Sequence, residues 1–174
     1  MENLIYTILL ALHNIALVGC VAGPFYMSRI VAKRSKYEKK IIYDMDALEE
    51  DVITSQPMIC WLFIIILYAT GFGFPAVYLL FHGALKEFSS IVLVAFILKH
   101  ILILGIVGIL FYGTFFINPK IRELFSKFKP DEEPDEEVVK EFFSLRALRK
   151  KWCDVCLVLG ILVLLVSPIL RFYG

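Results

Sequence analysis

Three side chains able to hold a ligand or a charge stand inside stretches that are otherwise almost wholly apolar: His13, Lys99 and His100. Polar groups at membrane depth are costly, so each needs a reason. Asn14 and Gln56 share the setting, and His82 stands at its edge. Counted along a helix from Asn3, His13 lies about 15 Å in, and His100, counted from Phe88 or Ser89, lies about 15–17 Å in. Two histidines at one level, on segments running the same way, predict a ligand held between the first and third segments. Neutral imidazole is a common ligand of metals and of haem. His13 and His100 are therefore the candidate metal ligands. The cofactor they point to is haem b, since no Cys-x-x-Cys-His attachment motif is present. A flat macrocycle needs room, which Gly19 and Gly23 offer on the first segment and Gly105 on the third. Its propionates need cations, and Lys99, Lys86 and Arg171 fall in the same half of the apolar segments. Lys99 and His100 are adjacent, about 100° apart around a helix, so one lines the pocket while the other reaches along its edge.

Plainer uses of the same residues stay open. A membrane histidine also serves by hydrogen-bonding a neighbouring backbone carbonyl. Glycines four apart, as at Gly19 and Gly23, also serve close packing of membrane helices. The four cysteines are Cys20, Cys60, Cys153 and Cys156. The last two form a single Cys-x-x-Cys, which is redox-active or metal-binding in some settings and a packing pair one helical turn apart in others. Copper sites combine His, Cys and Met, but Cys20, Cys60, Met27 and Met58 fall in the half of the segments away from the histidines.

The segments that must position these residues are set by hydropathy. The chain has 174 residues, 59% of them hydrophobic, and a mean hydropathy of +0.76. The excess is gathered into four blocks with the charges between them. A bilayer-spanning helix needs about 20 apolar residues. The blocks predict an all-α fold, a single membrane domain over 1–174 built as a bundle of four transmembrane helices at about 3–31, 52–82, 88–117 and 151–172, with helical extensions beyond the membrane. The start Met-Glu-Asn lacks the basic residues of a cleaved leader, and the block after it is too long for one. Membrane strands alternate apolar and polar residues, whereas these blocks are apolar all round. Almost nothing is expected to fold in water.

Of 18 lysines and arginines, six lie from Arg29 to Lys40 and nine from Lys120 to Lys151. Basic residues flanking spans stay in the cytoplasm. The connections 32–51 and 118–150 are thus expected in the cytoplasm and both termini outside, in a multi-pass protein of the cell (inner) membrane. Acidic residues mix with the bases in both connections, and Pro130 and Pro134 mark a turn between two helical stretches. Such charge runs read as solvated faces, or else as a docking surface for a soluble partner. Nucleic-acid, phosphate-loop and Ser/His/Asp hydrolase signals are absent.

Ala11-Leu-His13-Asn-Ile-Ala16, followed by Ala22-Gly23-Pro-Phe25-Tyr26-Met-Ser-Arg29, resembles the first helix of the HemJ-type protoporphyrinogen oxidases and the related CopD-like membrane proteins. Gln56-Pro57-Met58 resembles the start of that family's second helix, and Leu98-Lys99-His100 the lysine-bearing run of its third. The resemblance implies a four-helix bundle holding haem b, with His13 as a ligand and Lys99 as the catalytic or pocket residue. In the HemJ type it implies oxidation of protoporphyrinogen. The chain departs from the pattern in having Cys20 ahead of the Ala-Gly pair, Gly113 after Tyr112, and Lys151-Trp-Cys-Asp-Val-Cys156 at the fourth helix; His100 stands as a substitute second ligand. The expected function is a haem b membrane redox protein, acting on a porphyrin-like substrate or passing electrons between a partner and quinone. The alternatives are copper handling and a cofactor-free accessory subunit. Membrane partner subunits or a homo-oligomer complete the expected partners.

Overall fold

The computed structural model describes residues 1–34, 36–37, 41–84, 89–130 and 132–172, with backbone alone for 171 and 172. Among these residues the chain is helical: α1 (Glu2–Arg34), α2 (Tyr43–His82), α3 (Ser90–Tyr112), a π-helical turn (Gly113–Ile117), α4 (Asn118–Phe125) and α5 (Glu136–Phe172). Four helical stretches are long and apolar enough to cross a membrane: α1, α2, α3 continued through α4, and α5. In lipid a helix satisfies its own backbone polar groups, and α1, α2 and α5 run unbroken through Pro24, Pro57, Pro75 and Pro168. At 33 and 40 residues, α1 and α2 reach about 50 and 60 Å, well beyond a hydrocarbon core of about 30 Å. Their ends therefore stand in the head groups and in water.

Two local features follow from residue type. α2 stops at Gly83, whose φ of 70° sits in the left-handed region and whose N–H donates to the Leu79 carbonyl at 2.9 Å. That is the conformation glycine adopts most cheaply past a helix C-terminus. Between α3 and α4 the turn widens at Gly113–Ile117. Pro119 has no N–H to give the turn before it, and its ring crowds the carbonyl four residues back. Thr114 Oγ1 donates to the Leu110 carbonyl at 2.7 Å within that turn.

Around the bundle the order is α2, α1, α5, α3, with extensive packing at each of those joints and only sparse contact between α3 and α2. Helices 1 and 3, expected as neighbours, instead lie across the diagonal. They meet in the centre, where Ala16, Leu17, Leu67 and Val163 are buried against Leu102, Ile103 and Ile106.

At the end away from the termini the helices leave the apolar segments and form a lobe. Ile117, Ile121, Leu124, Phe128 and Phe142 make a buried apolar cluster, with Tyr43, Phe125 and Val138 against it. The expectation that almost nothing folds in water is corrected here. The connections 32–51 and 118–150 contain the start of α2, all of α4 and the first turns of α5, with a core of their own.

Candidate functional site

His13 projects from α1 to α2. Its Nδ1 lies 2.7 Å from Thr70 Oγ1. Thr70 is buried, and its hydroxyl donates back along α2 to the Ile66 carbonyl at 2.7 Å, with Leu67 O at 3.2 Å. A hydroxyl has one proton to give, so Thr70 accepts from the histidine. We assign the neutral Nδ1–H tautomer on that chain of donors. Nε2 then carries the lone pair, and it has no hydrogen-bond partner among the described residues. The Phe74 ring fixes the imidazole edge-on, centroids 5.8 Å apart at 72°. A ring nitrogen held by an oxygen while the other stays free is how proteins orient a ligating histidine; the same arrangement recurs at His100 on the Phe96 carbonyl, but His13 is the one whose anchor comes from a second helix.

Lys99 stands on α3. It is half-buried and within electrostatic reach of His13. No carboxylate pairs with it among the described residues. An ammonium at that depth without a counter-charge favours an anionic group beside it.

His100 does not join them. Its Nδ1 takes the Phe96 carbonyl of its own helix at 2.8 Å, and its ring lies on Phe96 with centroids 4.1 Å apart. The expected pairing of His13 with His100 is corrected. One position along α3 turns His100 away, and the bundle centre between α1 and α3 is filled by aliphatic side chains.

The glycine notches are also filled by protein. A Cβ at Gly19 would overlap the Phe63 ring, one at Gly23 would lie 3.3 Å from Cys60 Sγ, and one at Gly105 3.3 Å from Leu159. Gly19, Gly23 and Gly105 therefore serve helix packing rather than room for a macrocycle. The Arg171 side chain and Lys86 lie outside the described residues.

A haem held between α1 and α3 by two histidines does not fit these residues. What these residues leave is a His13 Nε2 without a hydrogen-bond partner among the described residues, in a bundle where α2 and α3 touch only sparsely. Among the described residues no three of His, Cys, Asp or Glu gather closely enough to hold a metal ion between them.

Thr70 was not singled out in the sequence, where one threonine in an apolar helix reads as filler. The signal was present: counted back from His82, it lies about 18 Å in, near the depth of His13. The cysteines also converge more than their spacing suggests. Cys60 of α2 lies within electrostatic reach of Cys20 of α1 and of Cys153 and Cys156 of α5, and Cys156 also within reach of Cys20.

The lobe holds a second polar centre. Arg34 grips Asp46 at 2.8 and 2.9 Å. Arg146 donates to Asp46 at 2.6 Å and Glu50 at 2.8 Å, and Arg149 holds Glu50 at 2.8 and 2.7 Å. All are buried. Burial alone would raise the Asp46 and Glu50 carboxyls, but the guanidinium hydrogen bonds and charges outweigh it and hold both below the usual carboxylate range. For Glu49 burial wins, and its carboxyl is pushed up.

Compared with known proteins, the chain matches no family model, no curated protein and no solved structure.

Proposed function

We propose that this chain is a membrane redox protein of the HemJ- and CopD-like kind, holding haem b through one protein ligand, His13. The observation that carries the reading is the His13–Thr70–Ile66 relay, which leaves a lone pair on Nε2 at membrane depth. Lys99 supports it as the cation beside the site that meets a propionate or an anionic substrate group. Haem b would supply one-electron chemistry inside the bilayer. The protein's part is to fix the imidazole, exclude water with Phe74 and the apolar helices, and leave a lateral opening between α2 and α3 for a flat apolar reductant such as a porphyrinogen, or for quinone. The lobe then lies in the cytoplasm with both termini outside, as the distribution of basic residues favours.

Purified protein from haem-replete cells, assayed by pyridine haemochrome, tests this. H13A loses the haem. T70V weakens its retention by about ten- to a hundredfold, the usual effect of removing a ligand's orienting partner. H100A keeps it. A wild-type spectrum retained in H13A would sink the reading.

One observation favours a second reading, handling of a soft metal such as copper as cargo: the convergence of the four cysteines from three helices. The lack of any ligand-sized group of three among the described residues makes it the weaker one.

A further inference from the structure

Where α1 leaves its charge-free stretch after Ser28, it carries two unlike faces. Met27, Val31 and Arg34 are buried, the first two against Ile53 and the last on Asp46. Phe25, Tyr26, Arg29 and Lys33 are exposed. At about 100° per residue these four fall within one sector of about 100°, on the side away from the buried three. Tyr26 is 62% exposed, an outward aromatic where membrane helices carry them. Lys36 follows in the turn after α1, its N–H donating to the Lys33 carbonyl at 3.2 Å, and it is exposed as well.

Most bases of the lobe are already spent. Arg34, Arg146 and Arg149 serve buried acids, and Lys120, Lys127, Lys129 and Lys150 serve acids nearer the surface. Among the described residues no carboxylate pairs with Arg29, Lys33 or Lys36. Across the joint with α5, Asp154 accepts from Ser28 at 2.5 Å and from Lys150 at 2.6 Å, so its charge is met there. The Arg29 guanidinium carbon lies 5.4 Å from the centroid of the Phe25 ring, which holds it along the helix on the apolar side.

Depth says what stands opposite these cations. Arg29 lies about 1.5 Å and Lys33 about 7.5 Å beyond Ser28 along the axis. Lipid head groups fill about 5–8 Å outside the hydrocarbon core. Arg29 and Lys33 are therefore within that layer, and Lys36 stands just past it.

We propose that this face of α1 binds an anionic phospholipid, its phosphate held by Arg29 and Lys33 and its acyl chains lying along Phe25 and Tyr26. The guanidinium presents a planar fork that meets two phosphate oxygens at once, and Lys33 adds a second charge one turn on. A phosphocholine head group brings its own cation beside the phosphate and gains little from either base. A phosphatidylglycerol head group brings none, so it supplies the counter-charge that the protein does not. The site needs neither haem nor a particular orientation of the chain in the membrane.

The test uses the full chain in nanodiscs of equal phosphatidylglycerol and phosphatidylcholine, with retained lipid quantified after exchange into detergent. The wild type is expected to enrich phosphatidylglycerol about ten- to twenty-fivefold, since each base near an anionic surface contributes about fivefold. R29Q/K33Q brings the ratio close to that of the bulk lipid. K127Q/K129Q, which removes the same charge from lysines already paired with Glu123 and Glu132, leaves it enriched. Retention of both lipids in the bulk ratio by the wild type, undiminished enrichment in R29Q/K33Q, or an equal loss in the two double variants would overturn the proposal.

Discussion

At the scale of single residues, what stood out in the sequence was exception: a histidine or lysine among aliphatic neighbours. His13 and Lys99 were legible for that reason, and Lys99 lies within electrostatic reach of His13. Their partner Thr70 was not, because threonine is tolerated in membrane helices by bonding to its own backbone, and sequence does not tell that use from a relay. His100 looked equivalent to His13 because depth is readable and rotation about the helix is not. In the lobe, Asp46, Glu49, Glu50 and Ile53 share one face of α2, and Phe142, Arg146 and Arg149 share one face of α5. That spacing is the same for a solvated face and for a buried network, so only the fold separates them. Arg146 also lies over the Phe142 ring, 4.5 Å from its centroid. Replacing it leaves Asp46 and Glu50 each short of a donor, and R146A is expected to destabilise the lobe by about 3–5 kcal/mol, as broken buried ion networks do. Because the Asp46 and Glu50 carboxyls are lowered in the folded state, their stabilisation is complete above the ordinary carboxylate range and drains away as pH falls through and below it. Denaturation of the wild type followed by tryptophan fluorescence, Trp152 reporting on the lobe, should show that acid sensitivity, and R146A should blunt it.

The elements themselves were the most readable part. Apolar length predicts spanning helices almost mechanically, and the four long stretches lie where the blocks are. Their order round the bundle was hidden, since lipid-facing and interior-facing side chains are equally apolar and leave no periodic stripe to orient. The glycines illustrate the point. Gly19 and Gly108 read alike in sequence, yet a Cβ at Gly19 overlaps Phe63 while one at Gly108 meets nothing within 4 Å. G19A should therefore cost about 1–3 kcal/mol as overpacking and G108A close to nothing, compared by thermal unfolding in detergent. Equal melting of the two would place α1 and α2 further apart than they are here.

Over the whole molecule, four spans put both termini at one end and the lobe at the other. A hydrogen bond from His82 Nε2 to Glu2 Oε1, 2.9 Å long, ties the first and second helices at the terminal end. The proposed topology, with the lobe in the cytoplasm, rests on the basic residues that flank the spans. A membrane-impermeant thiol reagent applied to intact cells should label a cysteine introduced at Glu2, and label one introduced at Glu133 only after permeabilisation, in a background with the native cysteines replaced. The reverse pattern would invert the assignment and put the lobe outside.

The proposed haem has a single histidine ligand, and the spin state of the ferric protein reads that directly. Electron paramagnetic resonance of the purified wild type should give a high-spin signal, with the reduced form binding carbon monoxide at the open position. A low-spin signal of two imidazoles, or protein from haem-replete cells that carries no haem, would contradict it.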